Sequence, residues 1–184
     1  MKSRFIPELI TYTGKQFCSH WIYEKTGLLG EAIAAFRGPA KVEGECLVDL
    51  IDRQEGAFIY SSDMLHFIVE HFDLDLEKTI LRQRFLVSLI KDELQRRTGT
   101  FIRQQGDDLY DEDKKLSVSI ATLSPVSSLI HTGVNISSKG TPVKTKGLAD
   151  YGIDPEPFGK AVIEKYTQEI EEIRLAKCKV KGVK

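Results

Sequence analysis

Two runs of alternating polarity constrain this chain more than any other feature. They are "KKLSVSIAT" (Lys114–Thr122) and "SSLIHTGVNIS" (Ser127–Ser137), separated by a short loop that carries Ser124 and Pro125. Successive strand side chains point to opposite faces, and so short a connection joins antiparallel neighbours, so the expected unit is a β-hairpin. In the first run Leu116, Val118 and Ile120 share one face, expected to meet a core, while Lys115, Ser117, Ser119 and Ala121 share the other. In the second, Ile130, Thr132, Val134 and Ile136 oppose Leu129, His131, Gly133 and Asn135. If both polar faces lie on one side, they set Lys115, His131 and Asn135 above small residues, which leaves volume for a ligand. Periodicity alone favours the plainer reading, a solvated strand face.

The rest of the chain reads as strand clusters around a central helical stretch. "GEAIAAFRG", "ECLVDLI" and "AFIY", between Gly30 and Tyr60, are expected strands. "SSDMLHFIVEHF" is expected as a helix capped by Ser61 or Ser62, with Met64, Leu65, Ile68, Val69 and Phe72 at helical spacing. Asp75 caps a second expected helix, from Leu76 to about Arg97, which Gly99 stops. "TFIRQQ" is a further strand, and the segment from Ser138 to Asp154 a loop. A last helix runs from Pro155 to near Cys178, followed by a basic tail over 179–184. The expected architecture is α+β, a sheet packed by helices on one side, in one domain over 1–184.

Composition narrows the function classes. A net charge of −1 gives no general pull toward nucleic acid or anionic lipid. Cys18, Cys46 and Cys178 are odd in number with no CxxC pair, so they read as free thiols of a reducing cytoplasm and supply no zinc signature. No apolar run nears the ~20 residues that span a bilayer, and "MKSRFIPELITYTG" lacks a signal-peptide core, so a cytoplasmic protein without a membrane partner is expected.

Single residues carry competing readings. Asp107 and Asp108 are an ordinary turn signal, or carboxylates for Mg²⁺. Asp49, read as lying within an apolar strand, needs a partner, for which Arg37 or Lys41 is available; structural pairing and pocket function are equally open. His66 and His71 read as packed or surface residues, not metal ligands.

The order of these pieces resembles the biotin and lipoate protein ligase superfamily. "DDLYDEDKKLSVSIA" followed by "IHTGVNIS" is similar to its catalytic half, with Asp107 and Asp108 on an Asn-Asp pair, Lys115 on the essential lysine, and Gly133 and Asn135 on the last strand. His131 is similar to the histidine of the octanoyltransferase strand. "AFRGPAKVEGECLVDL" resembles an octanoyltransferase segment through Gly38, Pro39, Gly44, Asp49 and Leu50. The whole chain also resembles an uncharacterised prokaryotic domain family, number 366.

The resemblance implies an α+β fold with a mixed, mainly antiparallel sheet of the class II aminoacyl-tRNA synthetase type, in a single catalytic-type domain over 1–184, and a pocket for a carboxylic acid or acyl-adenylate. Lys115 would be catalytic, and Arg37, Gly38, Lys41, Ser117, His131, Gly133 and Asn135 substrate-binding. ATP and Mg²⁺ would be cofactors, the metal on Asp107 or Asp108. The implied partners are a small acid or acyl donor and an acceptor protein or RNA; a homodimer is compatible with the chain. Two features depart from the pattern. The ligases' arginine-rich loop is reduced to "FRGPAK", and Tyr151 stands where octanoyltransferases place their cysteine. A non-catalytic module that keeps the pocket is the alternative.

Overall fold

The computed structural model describes residues 1–141 and 143–183. Its main sheet has strand order β1-β2-β3-β8-β7. The strands are β1 (Lys2–Ile6), β2 (Ala32–Val42), β3 (Ile59–His71), β7 (Ser117–Leu123) and β8 (Ser128–Asn135). Only the β1–β2 pair is parallel, so the sheet is mixed and mainly antiparallel. A small antiparallel ribbon, β4 (Arg103–Gln105), β5 (Asp108–Asp111) and β6 (Lys114–Lys115), lies between helix and hairpin in the chain. The helices are α1 (Trp21–Thr26), α2 (Leu50–Gln54), α3 (Leu76–Thr98) and α4 (Pro155–Lys179).

Two cores sandwich the sheet. On one face Leu65, Phe67 and Val69 of β3 and Ile130 and Val134 of β8 pack against the apolar stripes of α3 and α4. On the other, Ala34 and Phe36 of β2 and Ile68 of β3 pack against Ile22 of α1, Tyr12 and Leu47. The two long helices therefore leave the second face to loops and the short helices α1 and α2, and a ligand-sized space opens on that side.

The long helix forms as its local signals require. Asp75 accepts from the Lys78 backbone N–H at 3.0 Å, and Gly99 closes the helix in the left-handed region at φ 68°. Asp75→Ala should cost about 1 kcal/mol of stability, read from the denaturant midpoint.

Two sequence expectations are corrected. Residues 61–72 form no helix: Ile59–His71 is the central strand, with every residue from Met64 to His71 buried. A strand covered on both faces shows a near-continuous apolar run, and that run also satisfies helical spacing. "ECLVDLI" is not a strand either. It forms a 3-10 turn at Gly44–Cys46 and then α2, where the Asp49 carboxylate accepts from the backbone N–H groups of Ile51 and Asp52. Leu50 and Ile51 are left facing solvent. Asp49 is thus a helix cap, paired with neither Arg37 nor Lys41.

Candidate functional site

A cavity of about 260 Å3 lies on the loop-covered face of the sheet. Its floor is Val118 and Ile120 of β7 with His131 of β8, its roof the segment from Val42 to Asp52, and one wall Tyr12 and Phe17. Asp107, Asp108 and Lys115 stand at the ribbon end.

The hairpin delivers Lys115 there by a slip in alternation. Leu116 and Ser117 are consecutive and both buried, at 1% and 0% exposure, in a break between β6 and β7. Such an irregularity inverts the face of everything beyond it. Lys115, Val118 and Ile120 consequently share the cavity side, whereas the sequence alternation groups Lys115 with the serines. Ser117 is turned away and donates none of its reach to the cavity; its hydroxyl accepts from the Leu109 N–H at 3.0 Å. Ser119 bonds to Gln83 of α3 and to Thr132, with only part of it reaching the cavity.

The main chain of Lys115 is held from two sides. Its N–H donates to the Lys144 carbonyl at 2.9 Å, and its carbonyl accepts from the Lys146 N–H at 3.2 Å and the Asn135 Nδ2 at 3.3 Å. Nζ reaches Asp108 Oδ2 at 2.8 Å. Burial holds the Asp108 carboxyl above the usual carboxylate range although Lys115 pulls it down. Asp107 sits in the turn between β4 and β5 and accepts from Gln83 Nε2 at 2.9 Å, with Arg84 at 3.6 Å. The two aspartates are thus engaged separately. Among the described residues no group of three or more His, Cys, Asp or Glu side chains converges as a metal site.

His131 of the floor meets His66, a histidine on the adjacent strand. His66 Nε2 is 3.2 Å from the Gly38 carbonyl oxygen, which can only accept, so that nitrogen carries the proton. His66 Nδ1 is then the acceptor for His131 Nε2–H at 3.1 Å. Tyr12 stacks on His131 with ring centroids 3.8 Å apart and planes 12° apart. Burial pushes His66 down to about 4 and His131 well below the ordinary histidine value, so both are neutral at pH 7.

The other candidates from the sequence lie outside the cavity. Arg37 pairs with Asp63, its Nη2 2.5 Å from Oδ2, and Lys41 is exposed beside Glu43 at 3.8 Å. Gly38 faces Ile10, and Gly133 faces Met64, where a Cβ would meet Sδ at 2.3 Å. Gly133 therefore permits packing within the sheet. Asn135 positions Lys115 through its carbonyl. Tyr151 donates to Asp111 Oδ2 at 2.5 Å, beside Lys146 on the same oxygen at 2.6 Å. His131, Lys115, Asp107, Asp108 and Asp49 are brought together. Tyr12, Phe17, Cys46 and Asp52 were not signalled by the sequence reading, since Tyr12 and Phe17 sit in irregular chain and Cys46 and Asp52 in a single 3-10 turn and a five-residue helix too short to show a periodicity.

The architecture is the one seen in biotin and lipoate ligases. A biotin protein ligase from Aquifex aeolicus, in complex with biotin and ATP, superposes with TM-score 0.64 at 13% identity, over 92% of this chain and 71% of that one. A candidate lipoate protein ligase from T. acidophilum with bound lipoic acid gives TM-score 0.63 at 15% identity, over 93% and 86%. These likenesses establish the fold. The chain itself belongs to the DUF366 family, described as a domain of unknown function, whose model matches residues 1–181. An uncharacterised protein of Methanocaldococcus jannaschii is 39% identical over 176 residues, 92% of this chain and 79% of that protein. A protein of unknown function from Pyrococcus horikoshi superposes with TM-score 0.92 at 35% identity, over 99% of this chain and all of that one.

Proposed function

We propose that this protein binds a small carboxylic acid, or its activated acyl form, with the carboxylate against Lys115, and that it serves acyl activation or transfer. The observation that carries the reading is the position of Lys115. It is the one cationic side chain among the described residues lining the cavity, on a fold whose solved ligases hold biotin and lipoic acid. Its compact ammonium neutralises a carboxylate in the ground state and an oxyanion as charge develops. Asp108 holds Nζ in place until a ligand carboxylate shares it.

A nucleotide triphosphate does not fit this lining. Four aspartates, Asp49, Asp52, Asp107 and Asp108, face the cavity against the single lysine, and Arg37 is committed to Asp63 elsewhere. A second reading, a binding module without turnover, is favoured by the same shortage of cations.

Lys115→Met is expected to weaken binding of the acid by about ten- to a hundred-fold, the range of one charge-assisted hydrogen bond. The check is ligand-induced thermal stabilisation with biotin, lipoate, octanoate and a wider panel of acids. A paired variant, Lys115→Met with Asp108→Asn, removes the carboxylate left unpaired and so separates lost binding from lost folding. Unchanged affinity in both variants would remove Lys115 from the site. Transfer of the acyl group from an activated acyl donor to an acceptor would support the catalytic reading; binding without turnover would support the module.

A further inference from the structure

We infer that the ligand of this cavity carries an amino group as well as the carboxylate, which makes it an amino acid rather than a simple fatty or biotin-like acid. The inference rests on the proposed placement of the carboxylate at Lys115 and extends it to the other end of the ligand.

Two independent observations lead to it. The first is the hydrogen-bonding character of His131. The Gly38 carbonyl obliges His66 to keep its proton on Nε2, and His66 in turn obliges His131 to keep its proton on Nε2. The remaining nitrogen, His131 Nδ1, is therefore an acceptor. No described residue donates to it. Among the described residues the fully buried side-chain atoms without a hydrogen bond are Glu31 Oε2, which is ion-paired with Arg174, and His71 Nδ1; His131 Nδ1 is not one of them. His131 is 2% exposed and lines the cavity, so what little of it is open is open there. The side chain thus asks for a donor on the ligand.

The second is the charge of the lining. Beyond the ion pair of Lys115 with Asp108, the cavity is faced by Asp49, Asp52 and Asp107. Asp49 spends one oxygen on the α2 cap, and Asp107 is held by Gln83 and Arg84. The Asp52 carboxylate has no side-chain hydrogen bond or ion pair to a described residue. An acid with an otherwise apolar body would leave the Asp52 carboxylate and the His131 acceptor without donors in the occupied cavity. A ligand ammonium supplies up to three N–H donors and a compensating charge, while its carboxylate uses the single lysine. The apolar floor of Val118 and Ile120 and the rings of Tyr12 and Phe17 would take an aliphatic or aromatic side chain.

The test uses matched triplets on the intact chain. Each of several apolar α-amino acids is compared by calorimetry with its des-amino carboxylic acid and its decarboxylated amine. The amino acid should bind at least ten-fold more tightly than the des-amino acid. Asp52→Asn should erase most of that preference, so that the amino acid and its des-amino acid bind the variant with similar affinity. A des-amino acid that binds as well as its parent overturns this inference and leaves the carboxylate proposal standing. A decarboxylated amine that binds as well as the amino acid overturns the carboxylate proposal and, with it, the amino acid as the ligand. Absence of binding by every triplet at millimolar concentration, or binding of adenosine in their place, overturns both.

Discussion

Gly38→Ala should destabilise the protein by about 3 kcal/mol, more than almost any other single-methyl addition to this chain. A Cβ at Gly38 would lie 2.0 Å from the Ile10 carbonyl oxygen, 2.7 Å from its carbon and 3.1 Å from its nitrogen. All three are main-chain atoms, so no side-chain rotation relieves the clash. The loop carrying Ile10 is tied to β2 at the same place: the Ile10 N–H donates to the Arg37 carbonyl at 3.0 Å, and the Tyr12 N–H to the Pro39 carbonyl at 2.8 Å. Pushing it away breaks those bonds and lifts Tyr12 off His131. It also disturbs the Gly38 carbonyl that sets the His66 proton. The variant should therefore lose both denaturant stability and ligand-induced stabilisation. Gly182→Ala, where a Cβ meets nothing within 4 Å, should be neutral to about 0.5 kcal/mol. A neutral Gly38→Ala would contradict the close approach.

Stability should fall as pH drops from 6.5, before the carboxylates begin to matter. His66, His71 and His131 are buried, and burial is the leading cause that depresses each, His66 to about 4 and His71 to about 3. In the unfolded chain they regain the ordinary histidine value, so below it the unfolded state binds protons that the folded state refuses. A depressed folded value thus gives full stability above about pH 6.5 and a progressive loss down to the folded value. For His66 alone the linkage amounts to ~2 kcal/mol at pH 5 and ~3 kcal/mol when complete. Asp73, Glu93 and Asp111 are held below the usual carboxylate range by their lysine and arginine partners, so their contributions are lost only at lower pH. Urea unfolding at pH 7.5, 6 and 5 separates the two regimes. A flat profile between pH 7 and 5 would show that the histidines are protonated in the native state.

Signals confined to neighbouring residues were legible in the linear chain. Asp75 and Gly99 bound α3, Asp154 and Pro155 open α4, and the alternation of β8 puts His131 on one face and Ile130 and Val134 on the other. Each depends on contacts a few residues long, which any chain with those residues can make. The family resemblance likewise reached Lys115, because the ordered segments around it are contiguous in sequence.

What the linear chain could not decide depends on partners far away in it. The Ile59–His71 stretch satisfies helical and extended spacing alike, and it becomes a strand because β2 and β8 bond it on both edges while helices and loops cover both faces. The slip at Leu116–Ser117 exists because the ribbon takes up Leu116 through Leu109 while β8 pairs Ser117 with Val134, and it turns Lys115 into the cavity. Arg37 is taken by Asp63 across the β2–β3 pair, which removes it from the site. His66 and His131, 65 positions apart, meet only through strand pairing, so their shared proton order is a property of the sheet. Local preference thus determined the helix ends and one face of one strand. Long-range pairing decided which polar groups share the cavity, because hydrogen bonds across a sheet choose among registers that are locally equivalent.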